Sequence, residues 1–161
     1  MTDPYRSRPP RLHRVFQHYD APLYFVTFNT MHRRAVLASE DIHAAFIRYA
    51  KRGADEGRAA VGRYVLMPDH IHCFVRVDGS IRLGLWVRGL KRALSAAMNR
   101  SDSDSCSGRM WQPGFFDHVL RNSDSYGEKW RYVRDNPVRA GLVEAWDEWP
   151  YQGEIVRIDR V

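Results

Sequence analysis

An α+β domain built on an antiparallel sheet is the fold this chain predicts, and three observations carry that expectation. Short runs of β-branched and aromatic residues alternate with longer runs whose apolar residues recur at helical spacing. Two of the strand-like runs are joined by a tight Pro68-Asp69 turn, which makes an antiparallel hairpin. The length of 161 residues, with 44% hydrophobic content, suits one domain with a proper core.

The elements follow in order. Residues 1–20 hold Pro4, Pro9 and Pro10 among Arg6, Arg8, Arg11 and Arg14, and read as a basic, irregular N-terminal arm. Leu23 to Asn29 is β-branched and aromatic, a first strand. Ser39 to Arg52 has a helical apolar pattern (Ile42, Ala45, Phe46, Tyr49), opened by Ser39 and stopped by Gly53. Ala59 to Met67 and Ile71 to Val77 form the hairpin, which places His70 where a strand begins, at an accessible sheet edge. Ile81 to Asn99 is a second helix, with Leu83, Trp86, Val87, Leu90 and Leu94 on its apolar face. Arg100 to Arg109 is Ser/Asp-rich and aperiodic, a loop without assigned chemistry. A fourth strand runs from about Phe115 to Arg121. A third helix then spans Ser123 to Asn136, capped near Ser123 and closed by Pro137. Strand, helix, strand, strand, helix, strand, helix is the split βαβ, ferredoxin-like order, an antiparallel sheet covered by helices on one side. Residues 21–161 form that single domain.

Composition narrows the class. A formal net charge of +6, carried mostly by arginine, suits a polyanion, since a guanidinium grips phosphate with a two-pronged fork. Mild basicity alone is also common in proteins that bind nothing in particular. Cys73 and Cys106 are too few and too dissimilar in context for a disulfide framework, so a reducing compartment is the simple inference. No segment approaches the roughly 18 apolar residues of a membrane span, and the N-terminal arginines precede no apolar signal core. A cytoplasmic protein without membrane contact is expected.

Two segments carry chemistry. In Met67-Pro68-Asp69-His70-Ile71-His72, strand alternation points His70 and His72 to one face and Ile71 to the core. Two neutral imidazoles on one face are ready ligands for a divalent metal. The spacing by itself also recurs on ordinary strands. Downstream, Tyr132 and Asn136 lie four apart and share one helical face, so a phenol and an amide oxygen sit one turn from each other. The plain alternative is a half-buried aromatic followed by a C-terminal cap.

Taken together, these residues resemble the HUH single-tyrosine transposases of the insertion-sequence type, and within them the REP-associated tyrosine transposases. The likeness rests on Met67 to His72, on the aromatic-rich Trp111-Gln112-Pro113-Gly114-Phe115-Phe116-Asp117-His118-Val119-Leu120-Arg121, and on Tyr132 to Val143. It covers roughly residues 20 to 150 in order and spacing. The resemblance implies the ferredoxin-like fold, His70 and His72 as metal ligands, Tyr132 as nucleophile and Asn136 as a further ligand, where related transposases often carry glutamine. It implies metal-dependent cleavage and rejoining of single-stranded or hairpin DNA through a 5′-phosphotyrosine. Two imidazoles and an amide oxygen suit Mn²⁺; Mg²⁺ is also compatible, and zinc is not excluded by sequence. A monomer and a homodimer are both compatible.

DNA contacts are expected from Arg6, Arg8, Arg11 and Arg14 in the arm, and from Arg88, Lys91, Arg92 and Arg121 near the site. Trp111 and Phe115 are candidate platforms for unpaired bases. Arg88 and Arg92 equally describe a solvated helix face, and Trp111 equally a core residue. A catalytically silent nucleic-acid-binding module of the same fold is the main alternative, with a small-ester hydrolase as a third class.

Overall fold

The computed structural model describes residues 22–101, 109–120 and 123–158. The arm with Arg6, Arg8, Arg11 and Arg14, part of the Ser/Asp-rich loop, and Arg121 lie outside them. The elements are β1 (Leu23–Asn29), α1 (Glu40–Asp55), β2 (Ala59–Leu66), β3 (His70–Val77), α2 (Leu83–Ser101), β4 (Phe116–Leu120), α3 (Ser123–Arg134), α4 (Asn136–Arg139) and β5 (Gln152–Glu154). They form one five-stranded sheet in the order β4-β1-β3-β2-β5, with every pair antiparallel. The first four strands have the expected ferredoxin-like order.

Strand alternation sorts the sheet into two faces. Ile71, Cys73 and Val75 of β3 are fully buried on one face, with Phe28 and Tyr64 as cross-strand partners of Ile71 and Cys73. Helix α1 packs there, placing the Phe46 ring 4.5 Å from that of Tyr64, while His43 Nε2 lies 2.8 Å from the Tyr64 hydroxyl. The Ser39 hydroxyl starts α1 by accepting from the Ile42 N–H at 3.3 Å. Helix α2 covers the neighbouring strip. Its Lys91 carbonyl accepts from the Trp111 indole, whose ring lies 5.3 Å from Phe28.

The opposite face carries His70, His72 and Phe74. Helix α3 covers its lower part, with Tyr126 and Trp130 edge-on to the Phe74 ring at 4.6 and 6.5 Å. One extra residue in β2, between the pairs Val61↔Val75 and Tyr64↔Cys73, makes a bulge. Within the bulge, the Arg63 guanidinium lies 5.7 and 5.5 Å from the Tyr126 and Trp130 ring centres, so the irregularity serves the seat of α3. Helices α1 and α2 lie on one side as the sequence suggests; α3 adds a partial cover on the other.

Three local expectations are corrected, and one further strand is present. Gly53 does not stop α1, which continues to Asp55; the chain turns at Gly57, whose φ of 69° is left-handed. His70 opens the central strand of the sheet, not an edge strand. The third helix breaks at Asp135, so Asn136 begins α4 and Pro137 sits in its first turn, where a missing N–H costs nothing. Strand β5 has no strand-like composition and exists because β2 offers an open edge. Beside it the Trp149 indole donates to the Leu66 carbonyl at 2.9 Å, and Ile155, Val156 and Ile158 enter the core. Among the described residues, no helix is long and apolar enough to cross a membrane.

Candidate functional site

His70 and His72 stand on β3 between Asn29 and Thr27 of β1 and Val65 of β2. Their rings lie 4.7 Å apart, nearly perpendicular. Each imidazole is fixed through Nδ1. His70 Nδ1 is 2.7 Å from Asp69 Oδ1, and since a carboxylate only accepts, the ring proton resides there and Nε2 keeps its lone pair. His72 Nδ1 is 2.7 Å from Thr27 Oγ1, and its ring stacks on Phe25 at 5.4 Å. When the threonine oxygen accepts, Nε2 of His72 is likewise left bare.

Burial disfavours the charged form of both rings. Burial pushes His72 down to about 3, reinforced by the positive charges of His70, Lys129, Arg139 and Arg33. Burial also lowers His70, against the opposing pull of Asp69. Burial works against ionisation of Asp69, yet the hydrogen bond and charge of His70, together with Arg33, hold its carboxyl below the ordinary range. Two neutral imidazoles with anchored Nδ1 atoms are the form that metal ligands take. Among the described residues there is no cluster of three or more His, Cys, Asp or Glu side chains able to hold a metal. Two imidazole nitrogens are the donors these side chains offer, too few to fill the shell of a divalent ion by themselves.

Tyr132 lies in the last turn of α3, its side chain largely in solvent (63% exposed), while Trp130 and Val133 are buried against the sheet. Exposure of a large ring beside two buried anchors leaves the phenol oxygen accessible on a rigid element. Arg139 of α4 holds the ring: its guanidinium carbon is 4.2 Å from the ring centre and its Nη2 donates to the Tyr132 carbonyl at 2.8 Å. The same cation is among the charges that lower His72. Asn136 donates its amide N–H to the Val133 carbonyl at 3.0 Å, capping α3 and leaving Oδ1 as its acceptor. The shared helical face expected for Tyr132 and Asn136 is interrupted by the break at Asp135.

The expected DNA-contacting residues divide. Arg88, Lys91, Arg92, Trp111 and Phe115 do come together, lining one groove along α2. That groove lies on the Ile71 face of the sheet, not beside the histidines. Trp111 is buried, and its indole N–H contacts the Lys91 carbonyl and the Ser95 hydroxyl at 3.2 and 2.9 Å, the setting of a core residue. The Lys91 ammonium, lowered by burial, donates to the carbonyls of Gln112 and Gly114 at 3.1 and 2.5 Å. Arg88 and Arg92 are exposed, and Phe115 is half-buried. Around the histidines stand other cations that composition alone did not single out: Arg33, Lys129, which lies 4.8 Å over the Phe25 ring, and Arg139. Asp69 was read only as a turn residue, although its place directly before His70 could have marked it as a partner; Arg33, far away in sequence, carried no signal.

Comparison with known proteins adds independent findings. The family described as "Transposase IS200 like" matches residues 19–136. The chain is 26% identical over 130 residues to the REP-associated tyrosine transposase of Escherichia coli (strain K12), covering 80% of this chain and 73% of that protein. It superposes on a solved REP-associated tyrosine transposase bound to a REP hairpin with a TM-score of 0.64 and 24% identity. That match covers 94% of this chain and 82% of the other, and shows a shared fold.

Proposed function

This chain belongs to the IS200-like transposase family, and on that premise we propose that it cuts and rejoins single-stranded or hairpin DNA through Tyr132. The observation that carries the reading is the pair of Nδ1-anchored imidazoles on one sheet face, together with an exposed Tyr132 whose ring is held by Arg139, a cation that also acts on His72. The hairpin bound by the structural relative is the model for the substrate.

His70 and His72, with the Asn136 amide oxygen, would hold Mn²⁺ or Mg²⁺. When bound, such an ion polarises the scissile phosphate and neutralises its charge. The phenol oxygen of Tyr132 attacks phosphorus and the bond to the 3′ oxygen breaks, the phenolic proton ending on that oxygen. The products are a 5′-phosphotyrosine and a free 3′-hydroxyl, which conserves the bond energy for rejoining. Arg139 restrains the tyrosine ring and, with Lys129 and Arg33, supplies positive charge where the phosphate must lie.

The test is a covalent-trapping assay with labelled hairpin oligonucleotide and Mn²⁺. Wild type should give a DNA–protein band on a denaturing gel. Tyr132→Phe should give none while retaining DNA binding, and the His70→Ala/His72→Ala double variant should lose metal-stimulated cleavage. An unchanged band in Tyr132→Phe would assign the attack to another residue.

A further inference from the structure

Arg33 occupies a place that neither the helices nor the strands explain. It follows His32 in a tight turn between β1 and α1, and both residues have positive φ, 55° and 54°. Consecutive non-glycine residues in the left-handed region are disfavoured, because the side chain crowds its own backbone. The surrounding chain nevertheless fixes the turn. Thr30, fully buried, bonds through its N–H to the Asp69 carbonyl at 3.0 Å and through its hydroxyl to the Arg34 carbonyl at 2.8 Å. The Leu37 N–H reaches the Pro68 carbonyl at 2.9 Å. Segment 30–37 is thereby clamped to the Pro68-Asp69 turn that leads into His70.

What the turn achieves is the aim of one guanidinium. Arg33 Nε donates to Asp69 Oδ2 at 2.9 Å and Nη1 donates to Asn29 Oδ1 at 2.6 Å; Nη2 lies 3.4 Å from His70 Nδ1, too far to compete with Asp69 Oδ1, at 2.7 Å, for that nitrogen. Asn29 is the cross-strand partner of His70. One fork thus spans the residue before His70 and the residue beside it. Asp69 is shared, Oδ2 with Arg33 and Oδ1 with His70. The pair is not explained as a stability device, because Arg33 is half exposed and exposed ion pairs stabilise little. A strained backbone held for a contact of small stabilising worth points to a role at the site it borders.

We propose that Arg33 is a positioning residue for His70: by fixing the Asp69 carboxylate, it holds the His70 proton on Nδ1 and so presents a bare Nε2 toward the ligand position. The inference rests on the metal reading above, but its tautomer component stands apart from it. The chemistry follows from the acceptor geometry. With Oδ2 occupied by Arg33, Oδ1 must face the imidazole at 2.7 Å, where a lone pair on Nδ1 would be repelled and an N–H is bound. Holding Asp69 in this way also keeps the carboxylate from turning to ligate the ion itself, which preserves a site of neutral donors and open positions. Without the fork, Asp69 rotates toward water, the two imidazole tautomers mix, and part of the population presents an N–H where a lone pair is needed. Lysine cannot replace the function, since a single ammonium does not span Asn29 and Asp69 in a fixed plane.

The experiment has two readouts on wild type, Arg33→Gln, Arg33→Lys and Asp69→Asn. The first is the ¹⁵N chemical-shift pattern of His70 in metal-free protein, which reports the tautomer. The second is Mn²⁺ affinity by calorimetry without DNA. Wild type should show His70 protonated on Nδ1 alone. All three variants should show averaged shifts and an affinity lower by roughly 10-fold or more, the range typical for partners of metal-ligating histidines, with melting temperatures close to wild type. Should Arg33→Gln destabilise the fold, Asp69→Asn, which preserves side-chain size, carries the comparison. A wild-type protein with the expected His70 pattern but no Mn²⁺ uptake would remove the metal reading and leave the positioning role intact. Wild-type uptake with an unchanged His70 pattern and affinity in Arg33→Gln would overturn the positioning role alone.

Discussion

Acidifying the metal-free protein should destabilise it through His72. In the folded chain burial, aided by the charges of His70, Lys129, Arg139 and Arg33, brings this imidazole from the ordinary 6.5 down to about 3. Between those values the unfolded chain binds a proton that the folded chain refuses. Stability therefore rises with pH in this window. The contribution is complete above about pH 6.5 and is lost progressively as pH falls toward 3. At pH 5.5 the loss is RT ln(1 + 10), about 1.4 kcal/mol, and at pH 5.0 about 2 kcal/mol. His72→Gln has no titratable group and still offers Thr27 a hydrogen-bond partner. Urea unfolding of both proteins in EDTA at pH 7.5 and 5.5 isolates the effect, because every other titrating group is common to the two. Wild type should lose about 1.4 kcal/mol more than the variant over that interval. Parallel losses would refute the claim that burial holds His72 neutral, and with it the argument that this ring is a ready ligand.

Two further outcomes are expected. Trp130→Ala removes a buried ring packed on Phe74 and beneath Arg63, and should cost about 3–5 kcal/mol, a fall in melting temperature of roughly 10 °C. Because α3 carries Tyr132, covalent DNA attachment should fall with it; a shift under about 1 kcal/mol would show that Trp130 does not anchor the helix. Deleting residues 1–15, with Arg6, Arg8, Arg11 and Arg14, should flatten the salt dependence of DNA binding by roughly 0.7 in log–log slope per lost single-strand phosphate contact. Identical slopes for full-length and truncated protein would remove the arm from the interface.

Much of this molecule was legible before any coordinates. Leu23–Asn29 reads as a strand because its branched and aromatic side chains fit a pleated sheet, and Ser39 reads as a helix start because a hydroxyl satisfies a free N–H. The common face of His70 and His72 follows from an alternation imposed by backbone geometry, and Ile71 is fully buried as that alternation requires. These signals are local, carried by residues a few positions apart. Tertiary structure alone decided the rest. Three residues, Gln-Gly-Glu, became β5 only because the edge of β2 was open and Gly153 lets Tyr64 approach; a Cβ at Gly153 would stand 2.8 Å from the tyrosine oxygen. The α2 cations went to one face and the histidines to the other because helix register does not reveal which side of a sheet a helix will cover. Arg33 reached Asp69 across 36 intervening bonds of sequence through a left-handed turn that no composition announces. Pairing over such separations is selected by the energy of the whole packed chain, and so appears only once the chain is folded.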